Sequence, residues 1–148
     1  MTDDDRLHSA VQRLHATYAD VVTRRAWAEL DVLFVPGAPI RVDPVTRPAV
    51  DVAGAAELAA FVSSALERFA FFELVPLNSV ARLEGEGTAA GRLWMVELRQ
   101  DRDGGAWSEA YGRYDDHYAL VDGQWRYAER SYRSLARRAD LPPADVFP

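Results

Sequence analysis

The sequence predicts an α+β domain in which three N-terminal helices pack into a long antiparallel sheet that curls around them as a cone. Two observations carry this. The hydrophobic period changes from helical to alternating near residue 70. After that point four strand-like runs are separated by Glu84-Gly-Glu-Gly87, Asp103-Gly-Gly105 and Asp122-Gly123, turn sequences rich in residues that accept positive φ. A sheet of this length cannot leave its apolar face in water, and the preceding helices are its only cover.

From Asp4 to Arg25, Leu7, Val11, Leu14, Tyr18 and Val21 or Val22 form one stripe of an amphipathic helix, with Asp3, Asp4 and Asp5 in its first turn. Trp27, Leu30 and Phe34 suggest a short second helix that stops before Pro36-Gly37. Ile40 and Val42 alternate with Arg41 and Asp43 between prolines, the pattern of a short edge strand. Asp51-Val-Ala-Gly leads into a third helix carrying Leu58, Phe61, Val62, Leu66 and Phe69 on one face. The strands span 71–83, 88–102, 106–121 and 124–135. A single domain over 1–135 is expected, followed by an irregular Pro-rich tail over 136–148.

Composition narrows the function. The 148-residue chain carries a formal charge of −6, which argues against nucleic acid or an anionic membrane as partner. It has no cysteine for disulfide or thiolate chemistry. The acidic start does not resemble a signal peptide, so a cytoplasmic location is the default. His8 and His15 lie a heptad apart, and neither a metal site nor a cofactor is expected.

Asp122-Gly123, between Tyr111–Val121 and Gln124–Tyr132, is a strong hairpin signal. On its first strand Gly112, Tyr114, Asp116 and Tyr118 share one parity, so one face carries a carboxyl between two phenols. That face is the expected wall of a cavity. The turn leaves two registers open. A two-residue loop puts Asp116 opposite Glu129 and turns Arg130 away. A three-residue loop with a glycine bulge puts Asp116 opposite Ala128 and brings Arg130 onto the face of Tyr114 and Asp116.

Tyr18-Ala19, Trp27-Ala-Glu-Leu-Asp-Val-Leu-Phe34, Gly54-Ala-Ala-Glu-Leu-Ala-Ala-Phe61, Gly112-Arg-Tyr-Asp-Asp-His-Tyr118 and Gly123–Arg130 together resemble the NTF2-like superfamily, in its SnoaL-like and ketosteroid-isomerase-like branch. The resemblance implies a cavity between sheet and helices. On the isomerase pattern Tyr18 falls on the catalytic tyrosine, Asp43 on the general base, and Asp116 on the acid that helps hold an oxyanion, once the last turn is shortened by one residue. An arginine from the last strand, here Arg130, reaches the cavity in the dehydrochlorinase-like branch. It would keep Asp116 ionised and unable to donate to an enolate. The His-Asp dyad of the dehydratase branch is missing, since Thr23 and Glu73 or Leu74 occupy its places.

The expected activity is therefore cofactor-independent isomerase, cyclase or dehydratase chemistry on a small, mostly apolar carbonyl compound. The alternatives are a non-catalytic binding module and an epoxide-type hydrolase using Asp116 and Arg130 together. Tyr114, Tyr118, Phe34, Phe61, Phe72, Trp94 and Tyr132 are the candidate ligand contacts, with Trp94 and Glu97 on opposite faces of their strand. A homodimer through the outer sheet face is expected. Asp116→Asn is expected to abolish turnover with little change in melting temperature.

Overall fold

The computed structural model describes residues 1–147. Helix α1 (Asp3–Arg24) starts at a capping box, in which Asp5 N donates to the Thr2 hydroxyl and Thr2 N donates to Asp5 Oδ2. It ends where Arg25 turns left-handed, at φ 58°. Its stripe is buried as the spacing predicts, and His15 is buried with it. The short second helix is a 3-10 helix, Trp27–Leu33. Strand β1 (Pro39–Asp43) pairs antiparallel with β2 (Val50–Ala53), which runs directly into α2 (Gly54–Leu66). The segment expected only as a lead into a helix is thus itself a strand.

The four long strands are β3 (Phe69–Gly85), β4 (Thr88–Asp101), β5 (Trp107–Val121) and β6 (Gln124–Leu141). The sheet order is β2-β1-β6-β5-β4-β3. One expectation is corrected here: the sheet is mixed, because β1 lies parallel to β6, with Ile40 opposite Arg130 and Val42 opposite Tyr132. The segment from β1 to β6 contains α2 and four further strands, enough chain to return in the same direction. The tail is also corrected. Residues 136–141 continue β6, pairing Arg138 with Glu109 and Leu141 with Trp107, so the irregular end begins at Pro142. Strand β3 is the far edge and is irregular at 69–71, 76–78 and 83–85.

Both readings of the last hairpin give way to a third. The turn is the two-residue one, with Asp122 at φ 50°, Gly123 at φ 77° and Val121 opposite Gln124. Further along, a bulge at Ala128 lets Tyr118 face Tyr127 while His117 faces Glu129. Asp116 therefore stands opposite Arg130. Tyr127 and Arg130, three residues apart, both point inward, as a regular strand would not allow. No helix among the described residues is long and apolar enough to cross a membrane.

Candidate active site

Strand β5 presents Tyr114, Asp116 and Tyr118 to the interior, and the bulged β6 presents Tyr127, Arg130 and Tyr132 beside them. Arg130 is 1% exposed and its Nε lies 3.0 Å from Asp116 Oδ1. The N–H is off the line to the oxygen, so this is an ion pair without a well-aligned hydrogen bond. Among the described residues Nε, Nη1 and Nη2 of Arg130 find no hydrogen-bond acceptor. The guanidinium carbon instead sits 3.6 Å from the Tyr114 ring centre, 4.1 Å from Tyr127 and 4.3 Å from Tyr18. Three quadrupole faces thus hold a cation out of water.

The other carboxylate oxygen accepts from the Tyr118 hydroxyl at 3.3 Å. That hydroxyl is 3.2 Å from His15 Nε2, and His15 Nδ1 is 2.7 Å from the Tyr127 hydroxyl. Burial, with Arg130 nearby, depresses the His15 imidazole to about 3, so it is neutral. Burial pushes the Asp116 carboxyl up to about 6, against the pull of Arg130. At neutral pH it is still mostly ionised. Arg130 also sits above its ordinary value, because Asp116 and the surrounding phenols outweigh the cost of its burial.

A cavity of about 760 Å³ ends on this cluster. Tyr18, Tyr114 and Arg130 form its closed end, Phe61, Phe69, Phe72 and Leu58 its apolar wall, and the exposed Arg47, Arg137 and Asp140 its mouth. Glu97, inward on β4 with Leu93 and Met95, lines it too, and burial raises its carboxyl. Burial likewise raises the phenols of Tyr18 and Tyr114, and pushes Tyr132 up to about 12, so all three are protonated donors.

The structure brings Tyr18, Arg130, Tyr114, Tyr132, Phe61 and Phe72 onto one cavity, and leaves five expected residues off it. Asp43 accepts from Val45 N at 2.9 Å and pairs with Arg133 at 2.9 Å, organising the turn after β1. Asp116 lies behind Arg130 as its counter-ion and cannot donate to an oxyanion. Tyr118 faces His15, and Phe34 packs on Tyr127 and Tyr18. Trp94 is on the other sheet face, under Arg113. The dyad positions do meet, but as a structural contact in which Leu74 N donates to the Thr23 hydroxyl at 3.1 Å. His15 and Glu97 were missed as site residues. Strand parity allowed Glu97 or Trp94 to face in, and the apolar Leu93 and Met95 decide for Glu97. For His15 the signal was its position four residues after Val11, on the buried side of α1. No group of three or more His, Asp or Glu residues is placed to hold a metal among the described residues.

A family model described as a SnoaL-like domain matches residues 6–131. No curated protein sequence matches the chain. Among solved structures, a putative scytalone dehydratase from Novosphingobium aromaticivorans DSM 12444 is 21% identical, with a TM-score of 0.79 over 99% of this chain and 100% of that one. The hexachlorocyclohexane dehydrochlorinase LinA-type3 from Novosphingobium barchaimii LL02 is 19% identical, with a TM-score of 0.83 over 99% of this chain and all of that one. At these identities the likeness is one of fold.

Proposed function

From the chain's membership of the SnoaL-like family of the NTF2-like superfamily, we propose that its cavity performs cofactor-independent acid/base chemistry of the isomerase, cyclase or dehydratase type on a small, mostly apolar carbonyl compound. The observation that carries this is Arg130, a buried cation with no hydrogen-bond acceptor among the described residues, set between Tyr18 and Tyr114 at the closed end. A carbonyl oxygen directed there accepts from the two phenols. Charge that develops on it as an enolate forms is met by the guanidinium behind them, at the buried end of the cavity where such an interaction is stronger than in water.

Glu97 replaces Asp43 as the proton carrier in this proposal. It is the carboxyl that lines the cavity deepest in the sheet, and its raised pKa suits a group that must take a proton and return it. Asp116 is a positioning residue, fixing the guanidinium plane. Because Asp116 does not line the cavity, the epoxide-hydrolase reading lacks its water-activating carboxylate and is not favoured. Pairing of two copies through the outer sheet face, where Trp94 and Arg113 lie, is part of the same proposal.

The test needs no natural substrate. Incubated in D₂O with 1-indanone or α-tetralone, the protein should exchange the protons beside the carbonyl faster than buffer, followed by NMR. Tyr18→Phe and Glu97→Gln should each slow this by about 10²-fold or more. Binding of both ketones with no exchange above buffer would identify a non-catalytic module.

A further inference from the structure

The outer half of the cavity is cationic, although the chain as a whole carries −6. Five arginines and three acids line the cavity, and four of the arginines gather at two places. One is Arg130, matched by Asp116. The other is Arg99, with Arg137 and Arg68 near it, the last paired with Asp101 at 3.5 Å. The guanidinium carbons of Arg68 and Arg99 lie 4.7 and 5.1 Å from the centre of one ring, Phe69. Stacking of this kind fixes a guanidinium before any ligand arrives.

Arg99 is 8% exposed. Its Nε donates to the Ser108 hydroxyl at 3.1 Å and its Nη1 reaches Glu97 at 3.4 Å. These contacts leave Nη2 without a protein acceptor among the described residues. Its only nearby carboxyl is one that burial pushes toward neutrality, while burial and the neighbouring Arg137 and Arg68 lower Arg99 itself. A buried cation whose counter-ion is itself disfavoured as an anion by burial is costly, and a ligand anion would relieve the cost.

We propose that the cavity takes a largely apolar monocarboxylate, its head seated on Arg99 with Arg68 and Arg137 beside it and its body lying along Phe69, Phe72 and Leu58 toward Tyr18. A single charge fits better than the double charge of a phosphate, because Glu97 already brings one carboxyl to the same guanidinium. The proposal names the substrate class of the site described above and rests on that cavity being the working site, but not on the reaction performed there.

Calorimetric titration of the whole chain with decanoate, methyl decanoate and 2-decanone tests it. Decanoate should bind at least about tenfold more tightly than its methyl ester, as expected for one charge-assisted contact out of water. Arg99→Gln should reduce decanoate to the ester's affinity and change that of 2-decanone by less than about threefold, which also shows that the variant cavity is intact. Arg99→Lys should keep part of the preference and stands in if the Gln variant fails to fold. Equal affinity of acid and ester for the wild type, or an undiminished preference in Arg99→Gln, overturns the proposal. If 2-decanone binds and decanoate does not, the carboxylate inference fails and the acid/base reading stands. If none of the three binds, both fail.

Discussion

Replacing Asp116 by Asn removes one charge from a pair whose side chains are 0% and 1% exposed and whose atoms are 3.0 Å apart. Asn fills the same space and can still accept from Tyr118, so neither a cavity nor a lost hydrogen bond is at issue. What remains is the Arg130 cation, out of water, with three aromatic faces and no anion. Breaking a buried pair in this way costs about 3–5 kcal/mol. For a chain of this length each kcal/mol moves the melting temperature by about 2–4 °C. A drop on the order of 10 °C at pH 7, measured by circular dichroism, is therefore expected. That reverses the sequence-based expectation of a nearly unchanged melting temperature. The double variant Asp116→Asn/Arg130→Met removes the stranded charge and should recover most of the loss, giving a coupling of about 2 kcal/mol or more. A melting temperature for Asp116→Asn within about 2 °C of wild type would mean that Arg130 has its charge met elsewhere, and the account of the cluster would be wrong.

His15 makes the fold acid-sensitive. Its folded value of about 3 lies below the ordinary 6.5, so it costs nothing above pH 6.5, and stability is lost as pH falls through that window toward 3. Between pH 7 and 4.5 the loss is about 2–3 kcal/mol at 1.36 kcal/mol per unit, and urea unfolding of His15→Gln beside wild type should show it as a pH-dependent difference. Asp116, with a value of about 6, titrates in the same window in both proteins, so only the difference between them isolates His15. Parallel curves would rule His15 out. A Cβ at Gly112 would be driven into the Tyr132 ring, so Gly112→Ala should cost about 1–3 kcal/mol and weaken 2-decanone binding; an unchanged melt would show that the ring moves freely. Trp94→Asp should leave ketone binding intact while abolishing any dimer seen by sedimentation. A dimer that persists would place the interface elsewhere.

Much of the architecture was legible because period and turn chemistry are local. The alternation of Gly112, Tyr114, Asp116 and Tyr118 needed only strand geometry, and all four are buried. The parallel seat of β1 beside β6 was not legible, since five residues between prolines do not say which strand they join. The partner of Asp116 was hidden by one inserted residue. Counting back from a two-residue turn gives Glu129, and nothing in Tyr127-Ala-Glu announces that Ala128 is the extra one. Asp43 was misplaced for a related reason. Its strand was identified correctly, but whether a terminal side chain turns inward or folds back on Val45 N depends on Arg133 from a strand ninety residues later.

The outermost strand also bears on what the molecule does in company. Seventeen residues of unpaired backbone would ordinarily invite a second copy to extend the sheet sideways. In β3 that invitation is interrupted midway, where Pro76 lacks an N–H and the register slips before Asn78. At the opposite border β2 is only four residues long. Lateral growth into fibres is therefore blocked at one rim and starved at the other.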